Sequence, residues 1–242
     1  GNGGEDLYPR LKKIANDIVN DKKISSRSLK KDNESDKVLH EKVRYEILRR
    51  FGYFVTESSE HFAEYVPWFI KNNRQDLIDK YKIPIEEYID RCENNVELWN
   101  NLEKDMKPIH NQPLKRSNEY ASYIMDAVAN NNEVTINGNV MNDGYIDNLP
   151  SNCCVEVPCL INSNGNQPQS TGRLPEQLAA LMRTNINVQI LTAQAALTNK
   201  KEHIYHAAML DPLTGSNLSI DEIYSMVDNL IEAHKNYLPK YN

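Results

Sequence analysis

The sequence predicts an α+β fold, mostly helical, with a small mixed or antiparallel sheet near its middle. Apolar residues recur at three- and four-residue intervals both before residue 130 and after residue 172. Between those stretches, 133–141 (EVTINGNVM) and 153–161 (CCVEVPCLI) are rich in β-branched and apolar residues and bounded by turn signals. With 242 residues, 40% of them hydrophobic and 26% charged, the chain can bury a sizeable core as one or two domains.

The elements follow in order. Leu7, Leu11, Ile14 and Ile18 give a first helix over about 6–19. Residues 20–35 are polar and rich in Ser and Lys, and read as a mobile loop. A second helix runs from about Asp36, with Leu39, Val43, Ile47 and Phe51 on one face and Gly52 at its C-terminal stop. Ser58 or Ser59 caps a third, which Pro67 limits. Pro84 opens a long helix with Tyr88, Cys92, Val96, Trp99 and Leu102 on one side. Ser117 starts another, with Tyr120, Ile124 and Val128 facing inward. After the two strands, whose turns are Asn142-Asp-Gly144 and Asn162-Ser-Asn-Gly165, Pro158 marks the second strand as an edge or bulge. Gly172-Arg-Leu-Pro175 introduces a helix to about residue 198. Two shorter helices close the chain, the last opened by the capping box Ser219-Ile-Asp-Glu222 and burying Ile223, Val227 and Leu230.

Composition narrows the function. A formal net charge of -6, with both signs interspersed, argues against nucleic acid as the main partner. No apolar run reaches the roughly 18–20 residues that span a bilayer, so no membrane partner is expected. The opening Gly1-Asn2-Gly3-Gly4 is not a secretory leader and reads as a loop cut from a longer protein. Cys153 and Cys154, neighbours on a strand, point to opposite faces, and the CC-x4-C spacing misses the zinc pattern. All four cysteines therefore read as buried free thiols in a reducing cytoplasm.

Motifs for known chemistry are scarce. The chain has no G-x-G-x-x-G after a strand, no P-loop, no H-E-x-x-H and no G-x-S-x-G. His203 and His206, three apart on a helix, either share a metal or pack as ordinary histidines. The best local candidate is Glu57-Ser-Ser-Glu-His-Phe-Ala-Glu-Tyr65. If its second half is helical, His61, Glu64 and Tyr65 share or adjoin one face. A histidine beside carboxylates can relay protons; equally, acidic residues at a helix start can simply answer the dipole. In Asn142–Pro150, the amides of Asn142 and Asn148 either line a sugar-reading pocket or satisfy their own turns. Arg173 either reaches an anion or hydroxyl or is a solvated loop cation.

Four segments, RYEILRRFGYFVTESSEHFAEYVPWF (44–69), GNVMNDGYIDNLPSNCCVEVPCLINSNG (138–165), GRLPEQLAALMRTNINVQILTAQAALT (172–198) and HAAMLDPLTGSNLSIDEIYSMVDNLIEAH (206–234), resemble bacterial family 4 glycosidases of the α-galactosidase (melibiase) type. The similarity runs from about Asp6 to Pro239. It implies that residues 1–242 are the C-terminal substrate-binding and oligomerisation domain of such an enzyme, a domain of lactate dehydrogenase-like type. The N-terminal Rossmann half, with its dinucleotide loop and metal-binding Cys and His, is then a partner outside the chain. The resemblance also implies a redox route to hydrolysis, an exception to the two-carboxylate scheme. NAD removes hydride from C3 of the sugar, a base takes the acidified C2 proton beside Mn2+, and the aglycone leaves by elimination. Water then adds and the hydride returns.

On this reading the isolated chain binds neither NAD nor Mn2+ tightly and is inactive alone. The substrate is an α-galactoside such as melibiose, since no basic pocket for a sugar phosphate is evident, and the enzyme is a cytoplasmic homo-oligomer. Cys153, Cys154 and Cys159 fall on a later strand than the family's metal cysteine and do not take its role. Relatives place the C2 base in the loop matching 55–65, which makes Tyr65 and His61 the catalytic candidates. Ser58, Glu64, Asn142, Asn148 and Arg173 are the candidate substrate contacts. The alternatives are a non-catalytic carbohydrate-binding or interaction domain derived from this fold, or an α-glucosidase or α-galacturonidase specificity.

Overall fold

The computed structural model describes residues 6–20, 41–85, 87–105 and 119–242, which fall into two compact units. One comprises Gly1–Pro84 and Glu176–Asn242, the other Ile85–Pro175. Beyond Asn20, the loop expected over 20–35 lies outside the described residues, as do 36–40 of the second predicted helix and Ser117, the expected start of a later one.

In the first unit, α1 (Tyr8–Val19) carries Pro9 in its first turn, where the missing N–H costs no helical bond. It buries Ala15, Ile18 and Val19 against Tyr45 and Leu48 of α2 (Lys42–Phe51). The opposite apolar residues of α2, Val43 and Ile47, join a second cluster with Ala63, Val66, Phe69, Tyr81 and Ile83. Helix α2 thus has two apolar faces and sits between two cores. It stops at Gly52, whose φ of 82° is left-handed and natural only for glycine. Two short helices follow, α3 (Ser59–Glu64) and α4 (Gln75–Tyr81). The latter is too brief to show a period in sequence, and it is held by Tyr81 edge-on to Phe69 at 4.8 Å.

Glu46 on α2 is buried and accepts from Arg49 Nε and Nη2, at 2.9 and 2.8 Å, and from Arg50 Nε at 3.0 Å. Burial pushes its carboxyl up, but the hydrogen bonds from the two arginines outweigh this and hold it below its ordinary 4.5. A depressed folded-state value contributes stability above the ordinary carboxylate range, and that stability is lost as pH falls through the folded value. Glu46→Gln is therefore expected to lower the urea midpoint at pH 7 and to flatten its fall below about pH 4. An unchanged acid limb in the variant would show that this carboxylate is not linked to folding.

The first unit resumes with α7 (Glu176–Thr198), which buries Ala179, Ile186 and Ala195. Three helices close the chain, where two were expected: α8 (Lys201–Leu210), α9 (Pro212–Asn217) and α10 (Ile220–Ala233). The extra break is made by Asp211, which caps α9 by accepting from Thr214 N at 2.7 Å, with Pro212 behind it. The Ser219–Glu222 capping box forms as expected. Helix α10 buries Ile223 and Val227, but Leu230 is 50% exposed because α10 packs only through its inner stripe.

The second unit contains α5 (Glu87–Asp105), α6 (Ala121–Asn130) and a three-stranded antiparallel sheet. Strands β1 (Val134–Met141), β2 (Cys154–Asn162) and β3 (Gly165–Pro168) lie in the order β1-β2-β3. Their register runs from Val134 opposite Ile161 to Met141 opposite Cys154. The turn expected at 162–165 is tight enough to add β3 as a hairpin. Strand β2 is therefore central, which corrects its expected edge position. Pro158 is tolerated there because its carbonyl accepts from Gln169 N at 2.8 Å, and a strand residue's N and C=O point the same way. The missing donor thus faces the space past the last rung of β3, Cys159 opposite Pro168, and removes no bond from the β1–β2 ladder.

Two further expectations are corrected. On α6 only Ala127 is buried, while Tyr120 and Val128 remain about half exposed. Among the cysteines, Cys153 and Cys159 are buried but Cys92 and Cys154 are exposed, all four as free thiols. Cys154 alternates with Cys153 along the strand, and Cys92 lies on a helix with no buried described side chain.

Candidate functional site

The expected segment is brought together in the first unit. Ser58 is in an extended conformation and its Oγ accepts from His61 N at 3.2 Å, so α3 starts where an N-cap residue dictates. One helical turn then sets His61 and Glu64 side by side, with His61 Nδ1 3.3 Å from Glu64 Oε2. Tyr65 ends the helix with its side chain 45% exposed, and its carbonyl accepts from Asn185 Nδ2 of α7 at 3.2 Å. The segment carries an exposed phenol one helical turn after a histidine whose Nδ1 faces a carboxylate. A hydrogen on Nδ1 facing Glu64 leaves the basic lone pair on Nε2.

Helix α2 braces this segment with side chains that sequence reasoning missed. Ser59 Oγ donates to Glu41 Oε2 at 3.0 Å. Arg44 Nε donates to Val55 O at 2.9 Å, its Nη2 reaches Thr56 O at 3.4 Å, and its guanidinium lies 4.4 Å over the Phe54 ring. Arg44 and Glu41 are themselves paired at 3.4 Å. In sequence Arg44 looks like any cation on an amphipathic helix. Only the return of the 53–59 loop against α2 gives it a partner.

In the second unit the three remaining candidates occupy one loop system. Asn142 is fully buried. Its Nδ2 lies within 3.0–3.2 Å of the carbonyls of Ile146, Leu149 and Pro150, and its Oδ1 accepts from Ile146 N at 2.8 Å. The 142–150 loop is folded around that one amide. Asn148 makes a paired contact with Leu174, donating to its carbonyl at 2.9 Å and accepting from its N–H at 3.0 Å. Asp147 N donates to Gly172 O at 3.1 Å, and Ile146 bridges Gly172. Arg173 thus stands exposed on backbone held from both sides. Both amides are spent on backbone, and Arg173 is the side chain that the loop presents.

Among the described residues, no group of three or more His, Cys, Asp and Glu side chains is placed to hold a metal ion. His203 and His206 have ring centroids 6.5 Å apart, and His203 Nδ1 is buried without a hydrogen-bond partner. Among the described residues no third donor completes a site there. No described helix is long and apolar enough to cross a membrane.

Residues 2–214 match the family model described as the family 4 glycosyl hydrolase C-terminal domain. The chain belongs to the family 4 glycosyl hydrolases and represents their C-terminal portion. It is 46% identical over 238 residues to an α-galactosidase of Bacillus subtilis, covering 98% of this chain and 51% of that protein. It is 32% identical to an α-galactosidase of Rhizobium meliloti over 83% of this chain and 43% of that protein. The chain thus spans about half the length of the curated relatives it matches.

Solved structures of similar fold include the putative glucosidase lplD from B. subtilis, with a TM-score of 0.70 and 20% identity over 94% of this chain and 50% of that one. A 6-phospho-α-glucosidase from gut microorganisms, solved in complex with NAD and Mn2+, has a TM-score of 0.67 and 18% identity over 99% and 52%.

Proposed function

We propose that this chain is the sugar-side portion of an α-galactosidase whose full-length form uses NAD and Mn2+, both held outside residues 1–242 by a dinucleotide-binding half. The observation that carries the reading is the 46% identity to an α-galactosidase across 98% of the chain. The His61–Glu64 pair and the exposed Tyr65 one turn further on support it, as groups of the kind that transfer protons. The substrate is an unphosphorylated α-galactoside such as melibiose. Four free thiols suit a reducing cytoplasm.

Within the chain, Tyr65 acts as the base once its phenolic proton has passed through His61 Nε2 to solvent, so that the phenolate oxygen accepts the proton from the sugar ring. Glu64 fixes the imidazole, and Ser58 sets the helix turn that aligns them. In the second unit, Arg173 is the contact for a sugar hydroxyl or anion. Asn148 and Asn142 act on the substrate through the backbone they hold rather than by touching it.

Turnover of an α-galactoside by the full-length protein is expected to depend on added NAD, Mn2+ and a reductant. The isolated 242-residue chain is expected to give no binding heat with NAD. Calorimetric binding at micromolar affinity would place the dinucleotide site within this chain and reject the division of labour. Turnover of α-glucosides or α-galacturonides in preference to α-galactosides would reject the specificity.

A further inference from the structure

We infer that Trp68 distinguishes a galactoside from a glucoside, by packing its indole against the C4–C6 edge of the sugar. The inference rests on the sugar site proposed above at Tyr65. Trp68 follows Tyr65 by three residues, so their Cα atoms lie within about 11 Å of each other, close enough for one pyranose to meet both side chains. Val66 and Phe69 on either side are buried in the core, while Trp68 is left 40% exposed. Single exposed aromatics are ordinary on protein surfaces. The backbone around this one is fixed at both ends. Tyr65 O accepts from Asn185 Nδ2 of α7 at 3.2 Å, and Ile70 O accepts from Asn217 Nδ2 of α9 at 3.1 Å. Asn217 also grips Asn72, accepting from its N–H at 2.7 Å and from its Nδ2 at 2.8 Å. Behind the indole stands Phe51, with ring centroids 5.5 Å apart and planes 37° apart. Gln177 Nε2 of α7 donates to Phe51 O at 3.4 Å. A ring fixed before any ligand arrives lowers the ordering cost of binding.

The chemistry of the sugar decides what such a ring can read. In a galactoside the C4 hydroxyl is axial, which turns C4–H outward. C4–H, C5–H and C6 then form an apolar edge that an aromatic ring can cover. In a glucoside the equatorial C4 hydroxyl occupies that edge, where an indole would desolvate it without offering a hydrogen bond. An apolar contact of this kind discriminates against an added hydroxyl by about 10- to 100-fold. The C3 hydrogen, which the proposed reaction gives to the nicotinamide, lies outside the covered edge, so the two contacts do not compete.

In the full-length protein with NAD and Mn2+, Trp68→Ala is expected to lower kcat/KM for a nitrophenyl α-galactoside about 10-fold or more, chiefly through KM. The same substitution should change kcat/KM for the α-glucoside about 3-fold or less. Trp68→Phe keeps a ring and should retain most of the preference. In the unsubstituted protein, methyl α-galactoside should slow the oxidation of Trp68 by N-bromosuccinimide, followed by peptide mass, more than methyl α-glucoside does. Trp99, the other of the chain's two tryptophans, is 75% exposed and should oxidise at the same rate with either sugar. A galactoside-to-glucoside ratio unchanged in Trp68→Ala, or a Trp68 that oxidises equally fast with and without the galactoside, would overturn this inference alone. So would a Trp68→Ala protein that loses NAD affinity, which would assign the indole to packing against the dinucleotide-binding half. Absence of any α-galactoside turnover would instead reject the function proposed above, and this contact with it.

Discussion

In the full-length protein, Tyr65→Phe is expected to lower kcat for an α-galactoside by about 10²- to 10⁴-fold, the range for loss of a positioned proton-transfer group, with little change in KM. The substitution removes one oxygen from a 45% exposed side chain, so folding should be unaffected. His61→Ala should reduce kcat less, because solvent can replace a relay more easily than a base. Glu64→Gln should resemble a mild His61 variant, since it keeps a side chain 3.3 Å from Nδ1 but removes its charge. Tyr237→Phe serves as the control: Tyr237 is 88% exposed near the end of the chain and should be silent. If Tyr65→Phe retained full kcat, the proton-transfer role would pass to another group and the Ser58–Tyr65 segment would be only a braced helix.

The largest stability effect is expected at Asn142. Asn142→Leu keeps similar volume but strips the acceptor from Ile146 N and the donors from the carbonyls of Ile146, Leu149 and Pro150. Each buried backbone group left unpaired costs about 1–3 kcal/mol, and the loop can re-pair only some of them with water. The expected loss is about 3–5 kcal/mol, measured from the shift of the urea midpoint at constant slope. A loss below about 1 kcal/mol would show that the loop does not depend on this amide. Asn148→Ala should cost less, about 1–2 kcal/mol, because it breaks a pair of bonds at a half-open edge. Its effect on activity should come through Arg173, whose backbone Asn148 holds by way of Leu174.

What the sequence made legible was what local rules control. The apolar spacing of α1 and α2, the stop at Gly52, the Ser58 cap and the Ser219–Glu222 box all depend on residues within a turn or two of one another, and all form. The His61–Glu64 pair follows from the same locality. Helix α4 and strand β3 were not legible because they are seven and four residues long, shorter than the window in which a period can show. Pro158 misled for a different reason. Its cost depends on where β3 ends, and that is a property of the hairpin rather than of the proline. Arg44, Glu41 and Asn185 were invisible because their partners come from other elements, Arg44 reaching 11 residues and Asn185 120 residues along the chain. The two asparagines were legible as polar residues in a turn, but only the fold shows their amides committed to backbone.

The role proposed for this chain, forming the surroundings of a sugar whose ring proton becomes labile, is tested most directly by the isotope content of the product. The full-length protein, turned over on an α-galactoside in deuterated water, is predicted to release galactose carrying deuterium at C2. Galactose with only protium at C2 would contradict the elimination route, and with it the proton-transfer role given to Tyr65 and His61.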